Sequence, residues 1–356
     1  MIQKEILKKI PVTLVLVIML SSAFSHVNTF SNTATAPFIS DNKADGTIAE
    51  PIESSSPLVG MSTCAAASEI SAADDILDIQ DTSGAAEVPP EMIVPDGYAL
   101  VRMEASDISR GSLILVNYSN NYEIPELDDN IAISSIKSSS YRVTDTEMQL
   151  SSSIMGPLND MMDAFFAEIG LSTVTIRSAF RDYEAQQRIY NEYVGYVGSA
   201  EANRWAALPG YSEHHTGLAF DFGIYSESEI RTFTNTGEFI WFAQNSWKYG
   251  FIPRYPSEKT DITGVVYEPW HYRFVGEPHA YIMARNDWCL EEYLETIMRH
   301  THEEPYIIVY NDNMYEIYYT GDSAIYVPDD CAYEISGNNT DGFIVTLMRS
   351  GGLRLQ

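Results

Sequence analysis

Between residues 156 and 275, runs with apolar residues at helical spacing are interspersed with short alternating runs, and no strand–helix unit repeats. That irregular mixture argues for an α+β fold rather than a regular βαβ array. The spacing predicts helices over 156–169, stopped by Gly170, over 182–194, over 201–207 and over 237–249, stopped by Gly250. Strands are expected at 97–101, 112–117, 173–176, 218–222 and 267–275. From about residue 305 the character changes. YIIVY, YEIYY, AIYV and FIVTLM are strand-like runs separated by NDN, TGD and SGNNTDG turns, which describes a small all-β appendage over 305–350.

The stretch 26–95 is different again. It holds one lysine (Lys43) and two aromatics (Phe30 and Phe38) among many Ser, Thr, Ala, Asp and Glu residues. Such a segment cannot bury enough apolar surface to offset its chain entropy, so a disordered acidic tether is expected. Ahead of it, Lys4, Lys8 and Lys9 precede an apolar run from Ile10 to Leu20, with small residues at Ala23 and Ser25. The run is far shorter than the roughly 20 residues that span a bilayer. This reads as a secretory signal over 1–25, with an uncleaved N-terminal anchor as the alternative and the only membrane contact expected. The folded part is then extracellular: a main domain over 96–303 with its motifs between 156 and 285, followed by the appendage.

Composition removes several classes of function. Lys and Arg total 21 against 50 Asp and Glu, a net charge of −29, so binding to a phosphate backbone is excluded as the main activity. The three cysteines, Cys64, Cys289 and Cys331, show no CxxC spacing, which excludes a thiolate metal site. No spacing rule decides whether Cys289 and Cys331 are bonded. With seven histidines in the chain, any imidazole chemistry must come from a short list.

Two clusters on that list stand out: Ser212-Glu-His214-His-Thr-Gly217-Leu-Ala219-Phe-Asp221, and Glu268-Pro-Trp270-His271. A catalytic zinc takes three protein ligands and keeps a fourth position open for water. His214, Asp221 and His271 supply such a set. Zinc lowers the pKa of its water from about 15.7 to about 7, and a nearby carboxylate must then move the proton to the leaving group. Glu268 is the candidate, if a turn at Pro269 aims it inward beside His271. Trp270 is read as a wall of the site, His215 as a histidine that supports the site from behind or is structural, facing away from His214 if the segment is extended, and Gly217 and Ala219 as sites of close backbone packing.

SxHxxGxAxD followed by ExWH, with Ser178-Ala-Phe-Arg181-Asp-Tyr-Glu-Ala-Gln186 upstream, resembles the zinc D-alanyl-D-alanine carboxypeptidases of the VanY type. These belong to the LAS group of peptidoglycan peptidases and share a Hedgehog-like α+β fold. The resemblance spans residues 156–285. It implies one zinc per chain on His214, Asp221 and His271, Glu268 as general base and acid, and Arg181 facing the scissile carbonyl. It also implies that Gln186 and Ser212 help to hold the peptide. Ala179-Phe180 departs from the Gly-Tyr more usual in relatives and removes no catalytic group. Arg181 has a physical case of its own, since a fixed guanidinium stabilises the charge that develops on a tetrahedral intermediate.

The expected function is therefore removal of the C-terminal D-alanine from peptidoglycan stem peptides, by zinc-hydroxide attack. An L,D-carboxypeptidase acting on tetrapeptide stems shares every catalytic group and is the alternative. Two readings from other classes remain: a serine hydrolase using Ser212, His214 and Asp221, and a catalytically inactive wall-binding module.

Overall fold

A computed structural model describes residues 94–123 and 129–350. The expected signal segment, the tether up to Ile93, and Cys64 lie outside the described residues. No described helix is long and apolar enough to cross a membrane.

The sheet that carries the His- and carboxylate-bearing motifs of the sequence is built on three central antiparallel strands, β5 (Val174–Ser178), β6 (Ala219–Ser226) and β9 (Glu268–Phe274). At one edge β3 (Arg142–Val143) runs parallel to β5, and at the other β8 (Phe251–Tyr255) is antiparallel to β9. β7 (Glu229–Thr232) folds back onto β6, while β2 (Asn130–Ala132) and β4 (Gln149–Ser151) pair separately. Pro253 sits in β8, at the sheet edge, where a missing amide donor is tolerated. Alternation along β6 sends Phe220 and Phe222 into the main hydrophobic cluster together with Tyr272 of β9. Asp221, between them, faces the other way.

The core is closed by α1 (Ser152–Ile169), which buries Ile154, Met155, Leu158, Met161, Met162 and Phe165. The Phe165 ring lies 4.5 Å from Phe242 and 5.6 Å from Trp241. This helix starts earlier than the Gly-Pro pair at 156–157 suggests, because Ser151 caps it by accepting the Ser153 amide. Its end at Gly170, in the left-handed region at φ 79°, is as expected. α2 (Tyr183–Val197) is capped by Asp182. The helix expected over 201–207 is only the four-residue turn Ser199–Ala202. The one expected over 237–249 is broken into Gly237–Phe239, Ile240–Asn245 and Ser246–Tyr249. Asn245 breaks it: its backbone leaves helical geometry at φ −125°, and its side-chain amide bonds back to the Trp241 carbonyl.

The C-terminal strands form as expected, with one surprise. β10 (Tyr306–Tyr310), β11 (Asn313–Thr320), β14 (Phe343–Ser350) and β13 (Ala332–Gly337) make one antiparallel sheet. β12 (Ala324–Pro328) leaves it to pair along its whole length with β1 (Tyr98–Arg102), from the opposite end of the sequence. Residues 112–117, expected as a strand, pair with no sheet. Their backbone bonds to the appendage instead, Leu113 N to Ser336 Oγ at 2.9 Å and Leu115 N to the Asn338 carbonyl at 3.2 Å. Gly337 lies so close to the Ile108 and Asp107 carbonyls that a Cβ has no room there. Between the two sheets, α3 (His279–Asn286) and α4 (Leu290–Ile297) share a cluster with Leu113, Ile317 and Ile344. His279 takes part as a packed, neutral residue, its Nδ1 2.6 Å from the Tyr293 hydroxyl. Cys289 and Cys331 are free thiols.

Candidate metal centre and active site

β6 and β9 are antiparallel, and their register puts Asp221 directly opposite His271. His214 reaches them from a tight turn, Glu213–Thr216, in which Ser212 Oγ accepts the His214 amide at 3.3 Å. The turn ends at Gly217, whose φ of 69° favours glycine. A Cβ at this position meets Asn130 Oδ1 at 2.6 Å and Ser151 N at 3.1 Å. Strict alternation sends Glu268 and His271 to opposite faces of a strand. The pairing with β8 prevents it: Tyr272 lies opposite Pro253 but Glu268 lies opposite Tyr255, so four steps on β9 match two on β8. The resulting bulge turns Glu268 back until its Oε2 is 4.0 Å from His271 Nδ1.

His214 Nδ1 is 2.7 Å from the Ala179 carbonyl. A carbonyl can only accept, so Nδ1 carries the proton and the Nε2 lone pair is left pointing into the site. It faces Asp221 Oδ2 at 3.4 Å, while Asp221 Oδ1 lies 3.0 Å from His271 Nδ1. All three residues are buried, and one ligand atom from each falls within 4.8 Å of the others. Tetrahedral zinc, with bonds of about 2.0–2.1 Å, holds its ligands about 3.3 Å apart. Two acceptors facing one another repel unless something positive lies between them. The donor set fits a divalent cation of this kind.

Burial and the nearby Arg181 charge push His214 down to about 4, so it is neutral at physiological pH. Burial opposes ionisation of Asp221, but the two imidazoles outweigh it and hold the carboxyl well below its usual range. Burial also works against charge on His271, yet the carboxylates of Asp221 and Glu213 raise it to about 9. Burial raises Glu268 to about 8, with Asp221 and Glu213 adding to the effect and His271 and Arg181 opposing it. In the metal-free protein a proton on His271 therefore occupies the space a cation would take. Apparent zinc affinity should fall about tenfold per pH unit as pH drops below 9. Calorimetry in buffers of different ionisation enthalpy should find about one proton released per metal bound near pH 7; affinity independent of pH would contradict this account.

Arg181 stands where the extended chain enters α2, and its peptide is clamped on both sides. Its amide donates to the His214 carbonyl at 3.1 Å, and its carbonyl accepts from His215 Nδ1 at 2.7 Å. His215 Nε2 in turn accepts the Gly210 amide at 3.0 Å. His215 is not turned away along an extended strand, since the segment is a tight turn; it is the residue that fixes Arg181. Gln186 is buried on α2, with its Nε2 donating to the Ala207 carbonyl at 2.7 Å and its Oε1 without a partner among the described residues. Ser212 has its oxygen engaged in capping, and Trp270 is packed into the main core rather than lining an open wall.

The serine hydrolase alternative fails on geometry. Both His214 nitrogens are engaged, with the Ala179 carbonyl and with Asp221, and neither meets Ser212. Five residues beyond those read from the sequence also shape the site. Tyr193 and Arg177 act electrostatically on its charged groups. Beneath it, Glu213 Oε1 accepts from Arg254 Nε at 2.7 Å and from Arg273 at 2.9 Å. A sequence signal for the last was available: an arginine between Tyr272 and Phe274, in a strand expected to be buried, needs a buried anion.

Residues 147–277 match the family model described as VanY, D-alanyl-D-alanine carboxypeptidase. A D-alanyl-D-alanine carboxypeptidase of Enterococcus faecium is 36% identical over 246 residues, covering 67% of this chain and 76% of the relative. One from Enterococcus faecalis (strain ATCC 700802 / V583) is 37% identical over 232 residues, covering 60% and 75%. Among solved structures, the vancomycin-resistance D,D-dipeptidase VanXYg in complex with a D-Ala-D-Ala phosphinate analogue superposes with a TM-score of 0.64 at 30% identity. That match covers 71% of this chain and 99% of the other.

Proposed function

The chain belongs to the VanY family of D-alanyl-D-alanine carboxypeptidases, and from that premise we propose how its residues divide the work. His214 Nε2, Asp221 and His271 Nδ1 hold one zinc ion, and the observation that carries this is their convergence with Glu268 4.0 Å from the His271 nitrogen. Zinc held there supplies Lewis acidity, enough to make water a nucleophile at neutral pH and to polarise a peptide carbonyl.

Glu268 accepts the proton of the attacking water and returns it to the departing D-alanine nitrogen. Its carboxyl is already raised to about 8 by burial, and a cation beside it draws the value back toward neutrality, where one group can both take and give a proton. Arg181, its peptide clamped between His214 and His215, donates to the carbonyl oxygen as charge grows on it. Gln186 Oε1, buried and unspent, is an acceptor for a substrate amide. The substrate is a peptidoglycan stem peptide ending in D-alanine. Action outside the cell membrane is supported by the lysine-rich, apolar N-terminal segment, and fractionation of expressing cells tests it: recovery of the protein in the cytosol argues against it.

The deciding experiment offers zinc-loaded protein a pentapeptide stem ending in D-Ala-D-Ala and the matching tetrapeptide, and weighs the products. Release of one D-alanine from the pentapeptide is expected. Cleavage of the tetrapeptide alone would assign L,D specificity, and cleavage of neither would leave an inactive wall-binding protein. Arg181→Ala should lower kcat by about 10²–10³-fold with a much smaller change in KM, the mark of a donor engaged in the transition state. A change confined to KM would reassign the arginine to ground-state binding.

A further inference from the structure

Glu213 takes no part in the chemistry above, yet it is among the most completely buried charged groups described, with no side-chain exposure. Its two oxygens are divided. Oε1 accepts from Arg254 Nε at 2.7 Å and Arg273 at 2.9 Å, and Oε2 lies 3.2 Å from His271 Nε2. The guanidiniums are themselves anchored. Arg254 makes a two-pronged pair with Glu291 of α4 at 2.7 and 2.9 Å. Arg273 donates to the carbonyls of Ser112, Ile114 and Phe274 at 2.9–3.0 Å.

We infer that Glu213 is a positioning residue for the metal centre. By accepting the Nε2 proton of His271 it fixes that ring's tautomer and turns the Nδ1 lone pair toward Asp221, while the arginine pair keeps the carboxylate from moving. A buried ionic cluster is often no more stabilising than a packed apolar one of the same volume, so stability alone does not account for this one, whereas the geometry it imposes on His271 does. Histidine ligands generally need a partner of this kind on the second ring nitrogen, and losing it weakens metal binding about 10–100-fold. A backbone carbonyl does this for His214, through Ala179. For His271 a charged group does it, and that group is tied to α4 and to the strandless segment 112–115.

The inference rests on the metal-site reading, and the test separates the two. Full-length wild-type protein with ring-15N-labelled histidine is loaded with 113Cd²⁺ and examined by NMR. Coupling of the cadmium to Nδ1 of His271 and to Nε2 of His214 is expected. Coupling to Nε2 of His271 overturns the role of Glu213 and leaves the metal site standing. No coupling to either histidine overturns the metal site, and the positioning role with it. Glu213→Gln should bind Zn²⁺ about 10–100-fold more weakly in competition with a chromogenic chelator; unchanged affinity in a folded variant also overturns the proposal. If leaving two arginines without their anion prevents this variant from folding, the wild-type spectrum alone decides.

Discussion

Glu268→Gln should keep its zinc and its affinity for stem peptide while kcat falls by about 10²–10⁴-fold, the usual contribution of a positioned acid–base group. The amide has the shape of the carboxyl but cannot take a proton from water. The carboxyl lies beside the three ligand side chains rather than among them, with its nearest oxygen 4.0 Å from His271 Nδ1, so metal content should be unaffected. The same variant should stabilise the metal-free protein. Burial raises the Glu268 pKa from its ordinary value to about 8, so between roughly pH 4.5 and 8 the folded state holds a proton that the unfolded state has released. Stability attributable to this residue therefore declines as pH rises through that window. Glutamine has no such proton to lose. The melting temperature of the metal-free variant should exceed that of wild type at pH 8, and the gain should shrink toward pH 5. Each kcal/mol amounts to about 2–4 °C for a domain of this size. Zinc-loaded Glu268→Gln turning over within about threefold of wild type would remove the glutamate from the mechanism, since the expected loss is at least about 100-fold.

His271→Ala is the other large effect. Loss of a supporting partner weakens a metal site about 10–100-fold, and loss of the ligand itself should cost more than about 100-fold. Stoichiometric zinc should be absent from the purified variant at micromolar metal, and D-alanine release should be undetectable where wild type dialysed against chelator recovers on adding zinc. Circular dichroism separates this from unfolding. Asp221 and Glu213 then lose the imidazole between them and Glu213 keeps its arginines, so the sheet should survive. Retention of one zinc per chain with normal turnover would show that these three side chains are not the metal site.

The convergence of the proposed catalytic groups was legible because each sits in a short motif whose residue types have one economical joint use. His214, Asp221, His271 and Glu268 come together as the spacing suggested, and helix stops at Gly170 and Gly250 fell where glycine was needed. What was not legible depends on tertiary partners. Residues 112–117 look like a strand by composition, but their amides and carbonyls are claimed by Ser336, Asn338 and Arg273, contacts more than 150 positions away. The bulge that turns Glu268 inward is a property of the pairing between β8 and β9, and a single strand's sequence carries no record of its partner's register. His215 is the instructive intermediate: a supporting or structural role was readable, but the tight turn that lets it grip Arg181 was not.

The anchoring of Arg254 and Arg273 bears on how much of the chain the site needs. The stretch 147–277 contains every residue assigned to catalysis, and a gene fragment encoding it alone looks like a complete cassette. It would deliver Arg273 without the Ser112 and Ile114 carbonyls, and Arg254 without Glu291. Both guanidiniums would keep Glu213 but lose these outer anchors, beneath the proposed metal ligand His271. In this chain the support beneath His271 is therefore drawn from residues 112–114 and 291 as well as from the motif-bearing stretch, so a variant trimmed to 147–277 should bind zinc more weakly than the full protein.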